Sequence, residues 1–121
     1  MSMTTELHTV FDREAALERV EGDVQLLLEL WGIFQEDSPQ TLAELRSAVN
    51  AGDEWRVHRA AHAFKGGVAN FVAPEAVEAA QTLENLGRSG MLEGMRPALL
   101  ALEDAVERLH EVMTAFEHEM T

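Results

Sequence analysis

The sequence predicts an all-α protein, an antiparallel up-down four-helix bundle with a short additional N-terminal helix. Apolar residues recur at spacings of three and four along most of the chain, which places them on one face of an α-helix. Only three prolines occur, and the alternating β-branched and aromatic runs that are typical of strands are absent. Four long helical segments joined by short loops favour antiparallel packing of consecutive helices.

Capping residues locate the first two helices. Asp12 is a good N-cap for a first helix that ends near residue 20, and Asp23 caps a second helix that starts at residue 24. Pro39 either kinks this second helix or lies in the first turn of a new helix capped by Ser38, and we expect a kink. The residues expected to face inward are Leu27, Leu30, Ile33, Phe34, Leu42, Leu45 and Val49.

Three further helices follow. Asp53 caps the third, which is expected to run to about Phe71, and Pro74 opens a fourth that ends near Gly87. Gly90 closes the next connection, and the last helix occupies much of residues 92–117. Its apolar stripe consists of Leu99, Leu102, Val106, Leu109, Met113 and Phe116.

Composition limits the possible partners and compartments. The 121 residues suit one domain, residues 1–121, and the absence of cysteine excludes disulfides and favours a reducing cytoplasm. A net charge of -13 repels nucleic acid and anionic membranes, so we expect protein partners. Residues 1–10 lack the pattern of a signal peptide, and no apolar run is long enough to cross a membrane.

The third helix carries an outward-facing histidine. Its apolar stripe, which we expect to face the core, consists of Val57, Ala61, Phe64, Val68 and Phe71. On a helical wheel His62 lies about 160–200° from Phe64 and Phe71, so its imidazole must point outward. The same outward face carries Trp55, His58, Arg59, Lys65, Gly66 and Ala69, and Lys65 is the only lysine of the chain.

These residue types favour phosphoryl chemistry. A neutral, exposed imidazole can act as a nucleophile, and Lys65 could place an ammonium group beside a transferring phosphoryl group. Gly66 leaves room for a partner to approach. Two readings without such a function remain: an exposed histidine is usually idle, and Gly66 with Gly67 could simply end the helix. His58 and His62 could also hold a metal ion, but no third ligand is identifiable.

Residues 61–67, A-H-A-F-K-G-G, resemble the H-x-x-K-G signature of histidine phosphotransfer domains. Similarity extends over nearly the whole chain, including residues 22–23, 34–39, 70 and 83–88. The resemblance implies that His62 accepts the phosphoryl group, that Lys65 stabilises it and that Gly66 gives clearance. Glu84 matches the position of the family's Gln or Glu that orients the imidazole. The receiver docking surface would include Gly66, Ala69, His58 and Arg59.

The resemblance also implies a function. The chain would be a phosphorelay intermediate of two-component signalling, taking a phosphoryl group from a receiver-domain phosphoaspartate and passing it to another receiver aspartate. It would be no enzyme, since it has no ATP site of its own. Its partners would be response-regulator receiver domains and a sensor histidine kinase. We expect a monomer with no cofactor of its own, and magnesium on the partner receiver.

The alternative is a docking or dimerisation module that has lost phosphotransfer, and the joint presence of His62, Lys65 and Gly66 argues against it. Two positions depart from the family pattern. Gly67 stands where a serine is common, and Val72 stands where a glycine is common. Because β-branched residues avoid positive φ, we expect the turn before the fourth helix to be built differently.

Overall fold

A computed structural model describes residues 9–121, which contain five α-helices with defined ends and no β-strand. Residues 1–8 lie outside the described part, and so does most of the segment 1–10, where no signal peptide is expected. The helices are α1 (Arg13–Arg19), α2 (Val24–Ala51), α3 (Glu54–Ala69), α4 (Pro74–Ser89) and α5 (Leu92–Met120).

The four long helices form a closed ring of neighbours. Helix α2 packs against α3, α3 against α4, α4 against α5, and α5 returns to α2, while the short α1 contacts α2. Because consecutive long helices are adjacent and joined by short connections, they run antiparallel. The predicted four-helix bundle with a short helix before it is confirmed.

Three aspartates cap the helices as predicted. Asp12 accepts a hydrogen bond from the Ala15 backbone N–H at 3.2 Å, and Asp23 accepts one from Leu26 at 3.0 Å. Asp53 accepts one from the Arg56 N–H at 3.1 Å. Each bond satisfies an N–H group that lacks a partner in its own helix, so the predicted starts of α1, α2 and α3 are confirmed.

Helix α2 differs from the prediction in one buried position. It runs without a break past Pro39, so one helix and not two is present, while the expected kink stays a prediction. Ile33, expected inside, is 55% exposed, whereas Trp31 is 1% exposed. At about 100° per residue, Leu27, Trp31 and Phe34 fall within roughly 60° of one another, and Ile33 lies about 100° outside that arc.

The turn between α3 and α4 corrects a second expectation. Val72 has a φ of +49°, the left-handed conformation that glycine usually supplies, so the turn is not built differently. The Val72 carbonyl accepts a hydrogen bond from the Asp12 N–H at 2.8 Å, and the Ala69 carbonyl accepts one from the Arg19 guanidinium at 2.9 Å. Helix α3 ends at Ala69, two residues before the predicted end.

The backbones of helices α3 and α4 lie close together at Gly87. A Cβ atom added at Gly87 would lie 2.6 Å from the His58 backbone nitrogen and 2.9 Å from the Glu54 carbonyl oxygen. Only glycine fits this crossing without separating the helices. The crossing lies next to His58, one turn before His62 on α3.

Candidate functional site

His62 projects from the middle of α3 into solvent. The five stripe residues predicted for the third helix are all buried, and the His62 side chain on the opposite face is 68% exposed. Helix α3 continues through Gly66 and Gly67, neither of which has a positive φ. The reading in which the glycine pair ends the helix is therefore wrong.

A buried carboxylate on α4 lies behind the histidine. Glu84 Oε1 is 3.3 Å from His62 Nδ1, and the Glu84 residue is only 6% exposed. Among residues 9–121 it is the only polar or charged residue that is buried. A charge is costly to bury unless it is paired, so the contacts of Glu84 must compensate for its desolvation.

Lys65 provides most of that compensation. Its Nζ lies 2.9 Å from the same Glu84 Oε1 atom and donates a hydrogen bond to Gln81 Oε1 at 2.8 Å. The hydrogen bond from Lys65 lowers the pKa of Glu84 below its usual 4.5, burial opposes this, and the contact with His62 adds to the lowering. Glu84 is therefore ionised at neutral pH.

The ionised carboxylate selects one tautomer of the imidazole. A carboxylate without a proton can only accept a hydrogen bond, so His62 Nδ1 must carry the proton that points at Glu84 Oε1. Nε2 then holds the lone pair. Because the side chain is largely exposed, this lone pair is available to a group that arrives from solvent.

The remaining predicted residues are distributed around His62. Gly66 is exposed, and a Cβ atom there would meet nothing within 4 Å. The Arg59 guanidinium lies over the exposed Trp55 ring at 5.2 Å. His58 instead turns toward α4, where its Nδ1 is 3.3 Å from the Glu84 carbonyl oxygen. Both His58 and Ala69 are half-buried. No cluster of three possible metal ligands occurs among residues 9–121.

Sequence reasoning missed Gln81. Its amide contacts Lys65 directly and extends a polar row along α4 through Asn85 to Arg88. The signal was present, because Gln81, Asn85 and Arg88 are spaced by four and three residues, which places them on one helix face. The sequence does not show how α4 is aligned along α3, and this alignment decides which α4 side chain lies beside Lys65.

Comparison with known proteins decides the family. The Hpt domain family model matches residues 29–112. The chain belongs to the Hpt domain family. A solved structure, histidine-containing phosphotransfer protein B (HptB) from Pseudomonas aeruginosa PAO1, is similar to this Hpt domain, with 27% identity and a TM-score of 0.76. The similarity covers 90% of this chain and 92% of HptB. No curated protein sequence matches the chain.

The family assignment confirms the resemblance and its function. This Hpt domain is a histidine phosphotransfer intermediate of phosphorelay signalling, and Hpt proteins act as phosphoryl carriers that interact with receiver domains and kinases. Within residues 9–121, no helix has the length and apolar character needed to span a membrane.

Proposed function

We propose that His62 is the phosphoacceptor, taking a phosphoryl group from a receiver-domain phosphoaspartate and passing it to the aspartate of another receiver. One observation carries the proposal: an exposed imidazole is held by a buried carboxylate at Nδ1, with Nε2 free and an ammonium group one turn away. A histidine without a function would not require the only buried charge of the described chain behind it.

The transfer step follows from the tautomer. The Nε2 lone pair of His62 attacks the phosphorus atom, the Nε2–P bond forms, and the bond between phosphorus and the aspartyl oxygen breaks. The electrons of the broken bond stay on the aspartate, which leaves as a carboxylate. Because Nδ1 keeps its proton, the phosphorylated ring is cationic, and Glu84 stabilises that charge from 3.3 Å. Transfer to the next receiver reverses these steps.

Lys65 supports the phosphoryl group electrostatically. An ammonium group has three donors, and Glu84 and Gln81 use two of them. The third is free to donate to a phosphoryl oxygen on His62 Nε2. Since the Lys65 side chain is 24% exposed, its charge is only partly screened by solvent in a protein whose net charge of -13 would otherwise repel phosphate.

The docking surface proposed for the receiver is the outward face of α3. Gly66 leaves open space next to His62, and Arg59 together with Lys65 gives this face a positive character that complements the acidic active site of a receiver. We place the magnesium ion on the receiver and no cofactor or ATP site on this chain. We further propose that this Hpt domain is a monomer located in the cytoplasm.

Phosphoryl transfer from a labelled receiver tests the assignment. We expect His62→Gln to abolish labelling with an unchanged helical fold, because an exposed side chain contributes little to the core. His118→Gln, an identical change at an exposed position near the end of α5, is the matched control and should label like the wild type. Undiminished labelling of His62→Gln would refute the role of His62. An unlabelled wild type would favour the docking or dimerisation module.

A further inference from the structure

The Lys65 ammonium group is held between two acceptors of different charge. Glu84 Oε1 at 2.9 Å is a buried carboxylate oxygen, and Gln81 Oε1 at 2.8 Å is a neutral amide oxygen one turn earlier on α4. With one acceptor alone, a lysine side chain can rotate about that contact, because its four-carbon stem is flexible. Two acceptors on a rigid helix fix the position of Nζ.

The orientation of the Gln81 amide is set by its own neighbours. Arg88 has only donors, so the Asn85 amide must present its oxygen to Arg88 Nη2, at 2.8 Å. The same Asn85 oxygen accepts from Gln81 Nε2 at 2.9 Å. The Gln81 nitrogen is thus committed to Asn85, which turns the Gln81 oxygen toward Lys65. Arg88 and Gln81 both donate to the Asn85 oxygen, and Lys65 donates to the Gln81 oxygen, so each amide group has one consistent orientation.

We propose that Gln81 is a positioning residue, which holds Lys65 so that its third N–H is directed at the phosphoryl group on His62; this rests on the proposed function. A neutral acceptor suits that task. A carboxylate at position 81 would oppose one ammonium with two negative charges, which would weaken its attraction for phosphate. It would also place a carboxylate oxygen of residue 81 next to the Asn85 side-chain oxygen, and both of these atoms are acceptors.

The sole lysine of the chain gives a test that does not depend on phosphotransfer. Acetic anhydride forms stable amides only with amines, here Lys65 and the chain N-terminus, and mass spectrometry separates the two products. Gln81→Met keeps the side-chain length and removes the acceptor, so we expect faster acylation of Lys65 than in the wild type. Gln81→Glu should slow it. Thr82→Ala, next to Gln81 but bonded to its own helix at Glu78, should leave it unchanged.

The rate of transfer from a phosphorylated receiver supplies the second readout. We expect Gln81→Met to slow transfer about three- to tenfold, the range that corresponds to one hydrogen bond. It should cause no further loss in a Lys65→Met background, because the effect passes through Lys65. Gln81→Glu should also slow transfer although it protects Lys65 from acylation, a combination that a merely structural role would not produce.

The two readouts separate the possible failures. Equal acylation of Lys65 in wild type and Gln81→Met would overturn the positioning role, as would the same slowing of transfer with and without Lys65. If the wild type accepts no phosphoryl group, the proposed function fails, and acylation still decides whether Gln81 holds Lys65. Thermal unfolding of each variant shows whether the fold is kept.

Discussion

The close approach of α3 and α4 predicts different responses of two glycines to the same substitution. Gly87 and Gly66 both lie inside helices, where alanine is more favourable than glycine by about 1 kcal/mol. At Gly66 an added Cβ atom meets nothing within 4 Å. At Gly87 it would lie 2.6 Å from the His58 nitrogen. Because both atoms of the second contact belong to rigid helices, the helices themselves must move.

The magnitude follows from this geometry. Restoring a contact of about 3.5 Å at Gly87 requires α3 and α4 to separate by roughly 1 Å. Overpacking of this kind costs about 1–3 kcal/mol. The gain in helix propensity is common to both variants and cancels between them. We therefore expect Gly87→Ala to be less stable than Gly66→Ala by about 1–3 kcal/mol, and Gly66→Ala to be more stable than the wild type.

Urea and thermal unfolding followed by circular dichroism measure this difference. For a chain of this length it corresponds to a gap of roughly 4–12 °C between the two melting temperatures. The displaced helices should also move Glu84 away from His62, so Gly87→Ala should accept a phosphoryl group more slowly than the wild type. Equal melting temperatures for the two variants would contradict this prediction and would show that the α3–α4 crossing is looser than the structure indicates.

Three further predictions concern single residues. Because the pKa of Glu84 is lowered from 4.5, the ionised side chain stabilises the fold above that pH, and this stabilisation is lost as the pH falls through the lowered pKa. In urea unfolding, the free energies of unfolding of wild type and Glu84→Gln should therefore converge in acid. Lys65→Met should destabilise the fold by about 1–3 kcal/mol, because Glu84 loses its main partner, and a second change, Glu84→Gln, should restore part of this. Because Val72 has a positive φ, the variant Val72→Gly should be more stable than Val72→Ala by about 1 kcal/mol, the reverse of the order of glycine and alanine in a helix. The first prediction fails if the stabilities of wild type and Glu84→Gln differ equally at all pH values. The second fails if the stability losses of Lys65→Met and Glu84→Gln add up, and the third if alanine is more stable than glycine at position 72.

The helices could be predicted from the sequence because their determinants are local. The N-caps Asp12, Asp23 and Asp53 act within three residues of themselves, and the α3 stripe repeats often enough to define one face. Ile33 was misplaced because the apolar residues of α2 cover a wide arc, and only packing selects Trp31 for the core. At Val72 local preference predicted a different turn, but contacts from the α1 segment hold the unfavourable φ.

The candidate site could be predicted in part. The wheel alone gives the outward direction of His62 and places Lys65 on the same face, since both lie on one helix. Glu84 entered only through the family resemblance, because its contact with His62 depends on how α4 packs against α3. Gln81 was missed for the same reason. That packing depends on Gly87, whose role as a close crossing point becomes visible only in three dimensions.

The position of the phosphorus atom in the phosphorylated protein decides whether His62 acts as proposed. After transfer from a receiver, NMR of the ¹⁵N-labelled imidazole distinguishes phosphorus on Nε2 from phosphorus on Nδ1, and peptide mapping identifies the residue. We expect one phosphohistidine, at His62, substituted on Nε2 with the proton retained on Nδ1 beside Glu84. Phosphorylation on Nδ1 of His62, or on any other histidine, would contradict it.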